Sequence, residues 1–208
     1  MSQTSSNDRT PVRSFRIYRL IAIGIVLAVV IRLLILQVYV VSSDSMAPTL
    51  STDQRIAVWK PARVTGIQRG DLVVFDGINT FAPVSVTDEG LGSFLKQLIG
   101  IEHLDSRLFL KRVIAVGGDR LMCCDPSGQL VLNGQTLVEP YLADPTLASA
   151  ITFDVIVPQG RVWLMGDNRA NSRDSRELMG MPGGGFIDKF KIVGRVVFSV
   201  WPPERIGP

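Results

Sequence analysis

The sequence predicts a mostly β protein: one domain of antiparallel, coiled sheets carried on a single N-terminal transmembrane helix. Three observations point that way. From Leu20 to Val41 the chain reads LIAIGIVLAVVIRLLILQVYVV, with Arg32 as the one charge in the run. At about 1.5 Å per residue this run can cross a hydrocarbon core of about 30 Å. Beyond residue 50, short β-type runs alternate with turn residues. The chain has 208 residues, so the part beyond the apolar run is about one domain long, with no internal repeat or low-complexity stretch.

Taken in order, residues 1–19 read as a polar cytoplasmic tail, 20–41 as the anchor and 42–208 as an extracytoplasmic domain. Arg9, Arg13, Arg16 and Arg19 precede the span and Asp44 follows it, which by the positive-inside rule leaves the N-terminus in the cytoplasm. Gln37–Val41 lacks the small residues of a leader cleavage site, so the anchor reads as uncleaved. Arg32 costs at least about 2.5 kcal/mol in mid-bilayer on insertion scales; the alternative is a shorter span with Leu33–Val41 entering the outer domain as a strand. A buried helix of a soluble protein is the other reading. In the outer domain the runs 55–59, 71–75, 108–116, 129–132, 152–157, 161–165 and 192–201 read as strands. Asn133-Gly134 between Val131-Leu132 and Gln135-Thr136-Leu137 predicts a hairpin with a type I′ turn. One stretch departs from the pattern. Leu91, Phe94, Leu95, Leu98 and Ile101 follow helical spacing, a short amphipathic surface that either packs on the β domain or touches the bilayer. Cys123 and Cys124 are adjacent, a spacing that suits unpaired packing better than a structural staple. The net charge of +3 is small and its basic cluster sits at the membrane face, so nothing suggests nucleic-acid binding.

The chemistry-bearing residues lie in three stretches. Ser43-Asp44-Ser45-Met46-Ala47-Pro48-Thr49-Leu50 follows the anchor, with Ser45 in a turn fixed by Pro48. In Leu108–Val116, period-two alternation puts Lys111 on one face with Phe109, Val113 and Ala115. An apolar face desolvates an ammonium and lowers its pKa, and a lysine that is neutral near pH 7 can take a serine's proton. The third stretch, Gly166-Asp167-Asn168-Arg169-Ala170-Asn171-Ser172-Arg173-Asp174-Ser175-Arg176, is dense in hydrogen-bonding side chains and suited to capping charged groups. His103 is the only histidine and no nucleophile-elbow glycines flank Ser45, which argues against a Ser/His/Asp hydrolase.

With these residues in hand the chain resembles the type I signal peptidases. SDSMAPTL, GDLVVF (Gly70–Phe75), KRVIAVGGD (Lys111–Asp119) and GDNRANSRDSR are similar to that family's four boxes, in its order and spacing. The resemblance implies a catalytic domain of the signal peptidase or LexA-like type and a membrane-bound serine endopeptidase that removes signal peptides from secreted preproteins after small residues. It implies Ser45 as nucleophile, Lys111 as general base, and Ser43 with the Ser45 amide as oxyanion donors. Ser172 would orient Lys111, Asp174 and Arg176 would support the loop, and Met46, Leu50 and Leu110 would wall the substrate pocket. No metal or organic cofactor is called for; the partners are preproteins and the lipid bilayer. Ala170 departs from the family's usual Asp, Val116-Gly117 replaces its usual Pro, and residues 77–107 lie outside the resemblance. The C-terminal Phe198–Gly207 is similar to cyanobacterial and plastid members, which would add a thylakoid membrane to the plasma membrane as a location. A self-cleaving repressor would share the dyad but needs a DNA-binding domain where this chain has an anchor. A rival from another class is an inactive membrane-tethered β module that binds signal peptides without cutting them.

Overall fold

The structure, a computed structural model, describes residues 12–78, 80, 102–104, 107–142, 144 and 148–203. The amphipathic stretch Leu91–Ile101 lies outside the described residues.

The apolar N-terminal run divides in two. Helix α1 spans Val12–Leu34, so it starts inside the expected polar tail, where Val12–Arg19 contains no residue that breaks a helix, and stops well short of Val41. Strand β1 (Leu36–Val40) comes almost at once and pairs antiparallel with β2 (Arg55–Trp59), Leu36 opposite Trp59 and Val40 opposite Arg55. The expected span of 20–41 is thus corrected at its C-terminal end. Tyr39 and Val41 are buried in the domain's own core, and an apolar run reads the same in sequence whether lipid or a core covers it. Every described side chain from Arg16 to Ile31 is exposed. Over the described residues, no helix is long and apolar enough to cross a membrane.

The remaining elements, in chain order, are α2 (Ala62–Thr65), β3 (Leu72–Asp76), β4 (Glu102–His103), β5 (Leu108–Val116), β6 (Arg120–Cys123), β7 (Leu130–Leu132), β8 (Gln135–Thr136), β9 (Phe153–Ile156), β10 (Arg161–Met165), β11 (Ile187–Asp188) and β12 (Ile192–Trp201). Among the described residues they form an eight-stranded sheet, β11-β10-β5-β3-β12-β2-β1-β4, and a four-stranded sheet, β8-β7-β6-β9. Every pairing is antiparallel except β4 alongside β1, so the mostly β antiparallel class holds. The hairpin forms as expected: Asn133 and Gly134 take φ of 53° and 82°, and Leu132 faces Gln135, the left-handed pair a type I′ turn requires.

Two sequence expectations fail locally. On β5, Trp163 pairs with Ala115 but Leu164 with Val113, leaving Ile114 as the extra residue of a bulge. A bulge reverses the alternation beyond it, so Val113 packs with Phe109 in one cluster while Ala115 joins Leu121, Leu130 and Trp163 in another. Ala115 therefore does not share the Lys111 face. Cys123 and Cys124 are joined by a vicinal disulfide rather than left unpaired; their side chains pack with the cluster that holds the two sheets together.

Candidate active site

Ser45 is held in place from both sides of its turn. Ser43 is extended (φ −149°, ψ 157°) and leads into a single 3₁₀ turn, Asp44–Met46. Met46 and Leu50 are fully buried beneath the turn, and the Leu50 amide donates to the Met46 carbonyl at 3.0 Å. The Thr52 hydroxyl donates to Asp44 Oδ1 at 2.6 Å. From the third motif, the Asn168 amide donates to the Ser45 carbonyl at 3.1 Å and Asn168 Nδ2 to the Asp44 carbonyl at 3.1 Å. The turn that carries Ser45 is thus pinned by its own apolar side chains and by a loop more than a hundred residues away.

Lys111 stands in β5 opposite Val73 of β3 and is only 3% exposed. Its Nζ donates to Ser45 Oγ at 2.8 Å. Burial lowers the Lys111 pKa to about 8; Asp174 and Asp167 pull it back up and Arg176 pushes it down. Ser43 Oγ lies 3.2 Å from Ser45 Oγ. A hydroxyl, a buried amine of depressed pKa and a second hydroxyl therefore meet at one point. This arrangement can do acyl transfer: the amine in its neutral form accepts the Ser45 proton, and the oxygen is freed for attack on a carbonyl. Beside it opens a cavity of about 330 Å³, lined among others by Ser43, Ser45, Met46, Leu104, Leu110 and Lys111. Leu50 is not on that wall. It is fully buried in the core below, because the turn at Asp44–Met46 carries the chain inward before residue 50.

The other expected residues are close by, with one difference. Ser172 Oγ is buried and makes no hydrogen bond, to Lys111 or to any other group. It packs against Gly166, where an added Cβ would meet Ser172 Cβ and the Ser45 carbonyl oxygen, each at 2.5 Å. Asp174 Oδ2 accepts the Gly166 amide at 3.1 Å, and its two oxygens take Nε and Nη2 of Arg176 at 2.8 Å each.

Sequence reasoning missed the polar network behind this site. Asp167 accepts Nε and Nη2 of Arg112 at 2.8 and 2.6 Å and the Thr49 hydroxyl at 2.5 Å, while Arg112 Nη1 donates to the Gly70 carbonyl at 2.9 Å. One buried ion pair thus ties together all four motifs. Its signal in the sequence was Arg112, a second charge beside Lys111 in a strand buried on both faces. Buried Glu139 and Arg169 form a further group with the half-buried Tyr141. Burial beside Glu139 pushes the Tyr141 phenol well up, so it stays protonated. Among the described residues no group of His, Cys, Asp or Glu is arranged to hold a metal ion.

Residues 14–201 match the sequence pattern of the family described as signal peptidase, peptidase S26. A probable signal peptidase I of Mycobacterium leprae is 33% identical over 96% of this chain and 79% of its own. The signal peptidase I of Mycobacterium tuberculosis is 34% identical over 96% and 76%. That of Bacillus licheniformis is 33% identical over 92% and 91%.

Proposed function

The chain belongs to the signal peptidase family, peptidase S26, and on that premise we propose that it removes N-terminal signal peptides from secreted preproteins through a Ser45/Lys111 dyad. The observation that carries the reading is the 2.8 Å contact between Lys111 Nζ and Ser45 Oγ, made by a lysine that burial brings down to about 8. In the cycle, neutral Lys111 takes the Ser45 proton as Oγ attacks the scissile carbonyl. The Ser45 amide and the Ser43 hydroxyl hold the oxyanion, an arrangement in which one donor is typically worth about 100- to 1000-fold in turnover. Lys111 then hands its proton to the leaving amine and activates water for deacylation. Ser172 is the orienting hydroxyl of the protonated stage. Its buried Oγ lacks a partner, and an unpaired buried hydroxyl, which costs about 1–3 kcal/mol, calls for an explanation. Asp174 and Arg176 hold the loop that carries it.

The substrate lies as an extended strand between the segment leading into Ser45 and β5, its small side chain before the cut facing Met46 and Leu110. Helix α1 and the apolar residues around it serve as the membrane anchor, with the N-terminus cytoplasmic and the β domain on the other side. From Leu20 to Ile31 the helix is apolar on every side and its side chains are exposed, which suits that stretch to lipid. The test is cleavage of a signal-peptide-bearing preprotein by the detergent-purified protein and its Ser45→Ala form, with the cut read by mass spectrometry. Cleavage after a small residue by the wild type alone supports the dyad; cleavage that survives in Ser45→Ala rejects it, and binding without cleavage by the wild type leaves the inactive binding module as the answer.

A further inference from the structure

Glu139 sits outside all four motifs, in the loop after the β7–β8 hairpin, yet its side chain is almost fully buried together with that of Arg169. A buried carboxylate–guanidinium pair is weak evidence of a stabilising role, since apolar groups often replace one at no loss. What distinguishes this pair is where its remaining bonds lead. Arg169 uses Nη1 and Nη2 on the two oxygens of Glu139, Nη1 also on the Ala148 carbonyl at 2.8 Å, and Nε on the Gly166 carbonyl at 3.1 Å. Gly166 is wedged against the Ser45 carbonyl and the Ser172 side chain. In the other direction, Glu139 Oε1 accepts the Tyr141 hydroxyl at 2.8 Å. The Tyr141 ring lies under the Arg112 guanidinium, 3.9 Å from centroid to Cζ, and Arg112 is the residue next to Lys111.

One carboxylate therefore has two arms. The first runs through Arg169 and Gly166 to the backbone of Ser45; the second runs through Tyr141 and Arg112 to the strand position of Lys111. We propose that Glu139 is a positioning residue for the reaction, holding the two halves of the dyad in register from a loop that contributes nothing to the cleft itself. The links made by Glu139, Arg169, Tyr141 and Arg112 are charge-assisted or stacked, short and directional, with Glu139, Arg169 and Arg112 buried; the last link of the first arm is the close packing of Gly166 on the Ser45 carbonyl. The proposal rests on the reading of Ser45 and Lys111 as the dyad. Its expected signature comes from geometry: a shift of about 1 Å in reacting groups can cost about 100-fold in rate while leaving the substrate groove untouched.

The experiment is steady-state cleavage of a signal-peptide-bearing preprotein by the full-length protein in detergent, comparing wild type, Ser45→Ala, Glu139→Gln and Arg169→Lys, each with a thermal melt. Glu139→Gln keeps the size of the side chain and removes its charge. Arg169→Lys keeps the charge opposite Glu139 and removes the fork that reaches Gly166. The expected result is a fall in kcat of about tenfold or more for Glu139→Gln in a folded protein, with KM within about twofold. A folded Glu139→Gln with wild-type kcat, or one whose loss is all in KM, overturns the proposal. If Glu139→Gln does not fold, Arg169→Lys decides by the same two readings, and if neither folds the pair is a core element and the proposal falls. An inactive wild type or an active Ser45→Ala would instead reject the dyad itself.

Discussion

In the proposed cycle Lys111 meets two opposing demands: it has to be charged to stay hydrated and neutral to act as a base. Burial decides between them, bringing the amine down to about 8 against the pull of Asp174 and Asp167. Cleavage should therefore rise with pH along one limb with an apparent pKa about 8, since near pH 7 only about one amine in ten is neutral. Lys111→Arg should be inactive throughout, because guanidinium keeps its proton, whereas His103→Ala should leave the limb where it is; a pH–rate profile of the three proteins checks this. The same burial predicts a stability effect of definite sign. A lysine whose folded pKa lies below its unfolded value penalises the fold fully below pH 8, and the penalty fades as pH rises toward 10.5. Replacing it with an apolar side chain of similar length removes a penalty of about 3 kcal/mol, taken at about 1.4 kcal/mol per pKa unit. Lys111→Met should thus melt several degrees higher than wild type at pH 7, with the gap closing toward pH 10. A melt of Lys111→Met no higher than wild type at pH 7 would show that the amine is well solvated in its charged form.

At the level of elements, the strands with clear alternation and turn residues were legible: 55–59, 108–116, 161–165 and 192–201 form as read. What the sequence hid has physical causes. β1 entered only as the alternative to a longer span, because an apolar strand reads like a continued helix, β4 and β11 are two residues long, and the bulge at Ile114 depends on a partner strand that no local pattern specifies. The site divides the same way. Ser45, Lys111 and the Gly166–Arg176 loop stand out as motifs, while Glu139 and Tyr141 acquire meaning only through contacts made across two sheets. The loop's dependence on close approach gives a direct prediction. Gly166→Ala would drive a methyl into Ser172 and the Ser45 carbonyl, so kcat should fall at least about tenfold while the fold survives, as measured by cleavage alongside circular dichroism. The wall formed by the nucleophile turn and β5 predicts specificity. With Met46 and Leu110 facing the residue before the cut as proposed, leucine or phenylalanine there in place of alanine, glycine or serine should slow processing at least about tenfold, about 1.4 kcal/mol in the transition state. A panel of preproteins differing only at that residue measures it.

For the whole molecule, the contrast is between a β domain that buries most of its apolar residues and a helix that buries none of those described. With α1 as an anchor, the full-length protein should sediment with lipid vesicles and resist alkaline extraction. A form lacking residues 1–34 should stay in the supernatant with its β-sheet spectrum intact; sedimentation of that form would assign lipid binding to the domain instead. The short junction between α1 and β1 has a geometric consequence. β1 begins two residues after α1 ends and runs for five residues, about 17 Å at 3.3 Å per residue, before the chain turns at Ser45. If the helix ends at the membrane surface, β1 works as a ruler. It bounds how far above the lipid the cutting point stands, and so how many residues a tethered peptide must pay out between its own apolar stretch and the bond that is cut. Two residues added to β1 would keep its faces in phase and lengthen the ruler by about 7 Å, moving the preferred cut to a peptide with a correspondingly longer spacer.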